Sequence, residues 1–211
     1  MNMASLEQYQ IFSLAMGNRR NKFKYPSQGL YIVGEGITEK CYFEHLKSIY
    51  KFNCIVRPRF FTNNCISKLE KEIENLLRGD IYIICVFDED VSNRDSAENE
   101  KLVNLKKKYK DNKNVLFCES MPSIEYWFLI HFKDTCPNFT YSHEATKALR
   151  KYISNYEKTE DFLEKEKWVQ DMSTKKGDMN KAITISKKYR NSSASRTKIY
   201  KAIEKLRKTL K

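Results

Sequence analysis

The chain has no apolar run approaching the roughly 18 residues that a membrane span needs, and no cysteine pair spaced as C-x-x-C. The N-terminal stretch MNMASLEQYQIFSLAMGNRR places its charges after a weak apolar patch instead of before a strong one, the reverse of an export signal. The expectation is a cytoplasmic protein without membrane partners. Histidine is scarce, and His45, His131 and His143 stand at no metal-ligand spacing with each other or with cysteine, which argues against zinc. Cys41, Cys54, Cys65, Cys85, Cys118 and Cys136 are scattered, several inside predicted strands and helices, so they read as reduced core residues. No internal repeat or low-complexity linker appears.

What is present is an ordinary globular composition. With 211 residues and 41% hydrophobic content, the chain can bury one sizeable core with a smaller helical appendage beside it. Its charge is unevenly spread. The whole chain carries 39 Lys+Arg against 27 Asp+Glu, yet residues 173–211 hold 13 basic residues and only two acids, Asp178 and Glu204, so that segment is +11 of the total +12. A lysine-rich solvated face is the plainer reading of such a block. A polyanion partner is the other, because neutralising phosphates releases counterions.

Along the chain, a basic lead-in over 1–29 gives way to a first strand, Leu30-Tyr31-Ile32-Val33, after the turn Pro26-Ser27-Gln28-Gly29. Thr38 suits the N-cap of a helix reaching about Lys51, with Tyr42, Phe43, Leu46 and Tyr50 on one face. A second strand over Cys54 to Phe61, a helix marked by Ile66, Leu69, Ile73, Leu76 and Leu77, and a third strand from Ile81 to Phe87 follow. A charged helix from Ser96 to Lys110, a strand from Val115 to Cys118, and an apolar helix SIEYWFLIHF with Pro122 in its first turn complete a βαβαβαβα order. That order predicts an α/β fold with a parallel sheet of about four strands over 30–140, joined by right-handed crossovers. Beyond Thr140 the signals are all helical, so 141–211 is expected to be a basic helical region packed on the sheet.

Two acidic sites stand at strand exits, the edge where open α/β sheets carry their chemistry. Glu35 is flanked by Gly34 and Gly36, which permit a tight turn and close backbone approach. A lone glutamate there could instead complement the dipole of the next helix. The third glycine of a dinucleotide loop and a Walker lysine-serine pair are both missing. The triplet Asp88-Glu89-Asp90 ends the third strand, and side-chain alternation sends Asp88 and Asp90 to one side and Glu89 to the other. Two carboxylates on one face resist joint ionisation unless a cation joins them, and Mg²⁺, a hard ion, suits them. An exposed acidic turn is the alternative. Glu125, early in its helix at the fourth strand's exit, reads either as a further ligand or as a helix-stabilising acid. For His131 a satisfied core histidine is the favoured reading.

A glutamate on strand one and an Asp-x-Asp on strand three is the Toprim pattern, which residues 30 to 132 resemble. The segments YIVGEGITEKCYFEHL, VFDED, SMPSIEYWFLIHF and SASRTKIYKAIEKL resemble, more closely, the RloB-like family. Its E-G-x-T-E-x-x-Y-F opening falls on Glu35, Gly36, Thr38, Glu39, Tyr42 and Phe43. Its D-x-D falls on Asp88 and Asp90, and its S-N-P-x-F-E-x-W-x-L-x-H-F block on Ser120 to Phe132, with Met121 in place of asparagine and Ile124 in place of phenylalanine.

The resemblance implies an effector of restriction and phage-resistance loci, often beside an ATPase of the ABC or SMC-like kind. The expectation is metal-assisted phosphodiester cleavage of RNA, transfer RNA included, or of DNA. Asp88 and Asp90 would hold Mg²⁺ or Mn²⁺, Glu35 would share the ion or move a proton, and Glu125 would assist. Gly34, Gly36, Thr38, Glu39 and His131 would support the site. Lys40, Arg94, Lys187, Lys188, Arg190, Arg196 and Lys198 would hold the nucleic-acid backbone. The competing class is a non-catalytic binding module that regulates an ATPase partner. The sequence leaves oligomeric state open.

Overall fold

The structure, a computed structural model, describes residues 28–57, 66–89, 96–133 and 138–210. The N-terminal arm as far as residue 27, the second half of the expected second strand, Cys65, Asp90, Arg94 and Cys136 lie outside the described residues. Within them the chain runs β1 (Gln28–Gly34), α1 (Ile37–Tyr50), β2 (Ile55–Arg57), α2 (Ile66–Leu76), β3 (Asp80–Asp88), α3 (Ser96–Lys108), β4 (Val115–Met121) and α4 (Ile124–Leu129). Then come α5 (Ser142–Leu149), α6 (Glu160–Leu163), α7 (Lys167–Gln170), a π-helical segment (Asp171–Lys175), α8 (Met179–Lys188), β5 (Arg196–Thr197) and α9 (Ile199–Arg207).

The sheet order is β2-β1-β3-β4-β5. The first four strands are parallel, and β5 pairs antiparallel with β4. Alternation along the strands divides the apolar side chains between two faces. Leu30, Ile32, Ile84, Val86 and Cys118 join one cluster with α1, α4 and the helices of the C-terminal half. Tyr31, Val33, Ile83, Cys85 and Phe87 join another with α2 and α3. The first cluster is the larger and holds Trp127 and Tyr156, both fully buried. Trp127 satisfies its indole N–H by donating to the Tyr42 hydroxyl at 2.7 Å, so a large aromatic body is buried without an orphaned donor. Cys41, Cys54, Cys85 and Cys118 are free and buried, as core residues should be.

Three expectations need correction. The fifth strand, β5, interrupts the all-helical reading of the C-terminal half. Two residues show no periodicity, and β5 is fixed instead by tertiary bonds: Ser120 and Thr197 hydroxyls meet at 2.8 Å, and Ser186 donates to the Thr197 carbonyl at 2.6 Å. The helical signal of the C-terminal half is not continuous either: the stretch from Glu160 to Lys175 is divided into α6, α7 and the π-helical segment. Pro122 lies before α4 rather than inside it, because β4 runs on to Met121 and Ser123 takes the N-cap position.

Candidate functional site

β1 and β3 are neighbours in register, with Gly34 opposite Val86. The Glu35 amide prolongs the ladder by donating to the Val86 carbonyl at 3.1 Å. Its carboxylate then accepts the Asp88 amide at 3.0 Å. The two acidic motifs, far apart in sequence, are therefore tied at one sheet edge. Asp88 Oδ1 in turn accepts the Ile124 amide at 2.8 Å, which fastens the end of β3 to the start of α4.

Two more carboxylates close on this pair. Gly36, not the expected Thr38, is the N-cap of α1; Glu39 in the first turn turns back and accepts the Gly36 amide at 2.8 Å, one half of a capping box. The bare positions make this possible. A Cβ on Gly34 would lie 2.7 Å from Glu39 Cβ, and one on Gly36 would lie 2.9 Å from Glu39 Oε2. Glu125 has no exposed surface and is held by the Ser123 hydroxyl at 2.6 Å, the Tyr156 hydroxyl at 2.8 Å and the Lys158 ammonium at 3.0 Å.

The electrostatics show how close the group is. Burial, and then the charges of Glu39, Glu125 and Glu35, push the Asp88 carboxyl well above its usual range, while Lys158 opposes them. Burial, with Glu125 and Glu35 behind it, pushes the Glu39 carboxyl from 4.5 to about 7 against the pull of its backbone hydrogen bonds. Oxygen-only donors carrying excess negative charge are the donor set of Mg²⁺ or Mn²⁺. In their present rotamers, no three Asp, Glu, His or Cys side chains among the described residues are grouped as a bound ion would need.

A second acidic group lies on the β4 side. Strand alternation does not reach Glu89, because β3 ends at Asp88 and Glu89 is helical; Glu89 pairs with Arg196 and with Lys106 at 3.9 Å. Glu119, only 3% exposed, pairs with Lys106 and with Lys198 at 3.0 Å. Burial acts to raise its carboxyl, but the two lysines outweigh it and hold the group below the usual range.

The expected nucleic-acid residues separate accordingly. Arg196 and Lys198 turn inward to Glu89 and Glu119 and dock β5. Lys187, Lys188 and Arg190 are exposed around the end of α8, Lys187 also pairing with Glu204 at 2.5 Å. Lys40 is half-buried on α1, next to Glu39. His131 belongs to the core: its ring lies edge-on to Trp127, Nδ1 meets the Trp127 carbonyl at 2.9 Å, and burial lowers its pKa to about 4.

The structure adds Tyr156 and Lys158, which the sequence does not point to, and sets Glu39, expected as site support, beside the acids. The capping-box spacing from Gly36 to Glu39 was the available signal for Glu39. None existed for the other two, which reach the site from a turn between α5 and α6. A family profile described as RloB-like protein matches residues 30–206. No curated protein and no solved structure matches the chain. With most of its length matched, the chain belongs to the RloB-like family.

Proposed function

We propose that the protein is a Toprim-type nuclease that cleaves phosphodiester bonds in RNA or DNA with Mg²⁺ or Mn²⁺, and that it serves as an effector of phage defence. The observation that carries this reading is the tie between Glu35 and Asp88 across β1 and β3, with Glu39 and Glu125 crowded against them. Clustered like charge at a sheet edge is costly to a fold. A role that needs the charge accounts for its presence.

Asp88, Glu35 and Asp90 would hold the ion, with Glu125 or Glu39 joining after side-chain rotation. When bound, the ion orients the phosphate and stabilises charge on its oxygens. The chain's own residues do the rest. The Asp88 amide keeps one Glu35 oxygen facing β3, and the Ile124 amide keeps Asp88 from turning away. Glu39 sits beside the acids, its carboxylate accepting the Gly36 amide, within reach of the site. Lys187, Lys188 and Arg190 supply exposed positive charge for a polyanion.

One observation favours the alternative, a non-catalytic nucleic-acid or nucleotide-binding module working with an ATPase partner: the described carboxylates are bonded to protein groups instead of converging on a common point. The two readings part in one experiment. Purified protein and its Asp88→Asn variant are incubated with total RNA and with supercoiled plasmid, with Mg²⁺, Mn²⁺ or chelator. Metal-dependent products absent in the variant support the nuclease. Equal cleavage by both refutes the site, and binding without cleavage, undiminished in chelator and still uncleaved with an ATPase partner present, supports the module.

A further inference from the structure

Lys158 stands in an unusual position. It reaches Glu125 Oε1 at 3.0 Å from a turn of the C-terminal half, and Glu125 has no exposed surface at all. Its charge also acts on Asp88 and Glu39. Yet the lysine side chain itself is 45% exposed. The ammonium thus forms a lid on the acidic group, with carboxylates behind it and solvent in front.

The contrast with Glu119 shows what such a lysine is for. Glu119 is one carboxylate with two lysines against it, an arrangement saturated with positive charge. At Asp88, three neighbouring carboxylates act against Lys158. One ammonium does not balance the acids acting on Asp88, and the group takes up protons in part to compensate, so it retains an attraction for further positive charge that Glu119 lacks. A divalent cation entering between Asp88 and Glu125 would meet the ammonium at close range, and like charges that near repel. Lys158 has a free route outward, since its side chain already borders solvent.

We infer that Lys158 is a built-in counter-ion that holds the carboxylate group together in the absence of metal and is displaced when a divalent cation binds. This rests on the metal-site reading above and adds a regulation to it. Metal entry exchanges an internal cation for an external one. The released ammonium then projects at the mouth of the site, where a phosphate would arrive.

The test is calorimetric titration of Mn²⁺ into the wild type, Lys158→Gln and Lys158→Arg. Lys158→Gln keeps a donor for Glu125 but removes the charge, so its Mn²⁺ dissociation constant should fall at least tenfold, while Lys158→Arg should stay near the wild type. An unchanged or higher constant in Lys158→Gln, with Mn²⁺ bound by the wild type, overturns the displacement and leaves the metal site standing. Binding by the variant alone supports the inference in its strongest form. Absence of binding in all three sinks both. A readout on the native chain covers failure of the variants to fold: amine-labelling of Lys158, followed by mass spectrometry, should speed up at least threefold when Mn²⁺ is added. Slower or unchanged labelling overturns the inference.

Discussion

Glu119, buried, and Asp88, half-buried, sit near the ends of adjacent strands, and their carboxyl groups are shifted in opposite directions. Desolvation acts to raise both. What differs is the company: two lysines at Glu119, three carboxylates and one lysine at Asp88. A buried acid that is fully paired is part of the scaffold, and here it fastens β5 and α3 to β4. An acid that is under-paired stores an attraction for a cation. Burial alone separates neither case, and the balance of neighbouring charge decides it.

The largest effect should come from Asp88→Asn, which breaks the under-paired side of the contrast. Metal-dependent cleavage in the RNA and plasmid assays should fall at least a thousandfold, about 4 kcal/mol of barrier. Thermal unfolding in chelator should show no loss of stability, because the variant relieves repulsion. A clear loss of stability would place Asp88 with the scaffold.

Glu119→Gln should do the reverse. Removing a carboxylate that two lysines share leaves them facing each other and should destabilise the fold by roughly 3 to 4 kcal/mol by denaturant unfolding. Mn²⁺ binding should stay within a factor of two or three. Glu119 should also make the wild type less stable in acid: its folded pKa is lowered, so its contribution is present above the unfolded pKa and disappears as pH falls through the folded one.

Glu39 runs the other way. Its folded pKa of about 7 lies above the ordinary 4.5, so the folded state binds the proton more tightly and stability falls as pH rises between those values. That span corresponds to roughly 3 kcal/mol. Glu39→Gln should flatten this fall in chelator. A slope unchanged in the variant would show that another group carries it.

The smallest change is Tyr156→Phe, which removes the 2.8 Å hydroxyl bond to Glu125. A loss of about 1 to 2 kcal/mol is expected. It should be accompanied by a shift in Mn²⁺ affinity, since Glu125 loses one of its two hydroxyl donors.

Much of this arrangement was legible in the residue order. The run from Ile81 to Phe87 and the glycine-flanked Glu35 predicted parallel strands with acids at their exits, because burial on both faces demands continuous apolar strands; that β1 and β3 are neighbours came from the structure. The alternation expected through Asp88-Glu89-Asp90 stops at Asp88, where β3 ends and Glu89 turns helical. β5 was not legible, since two residues have no period and are held by bonds to Ser120 and Ser186. Nor was Lys158, one of many lysines, because only the turn after α5 brings it to Glu125. The basic C-terminal block read as one surface, whereas Arg196 and Lys198 are spent on internal acids. Charge counting finds an excess of lysine but not its direction.

The close approach of α1 to Gly34 limits what both ends of that contact can hold. With a Cβ there only 2.7 Å from Glu39 Cβ, a side chain at position 34 and any residue but glycine at position 39 cannot share the fold without moving α1. Replacing the acid at 39 does not free position 34, because every replacement but glycine keeps the Cβ; a bare position 34 is the condition for any side chain at 39, the acid included.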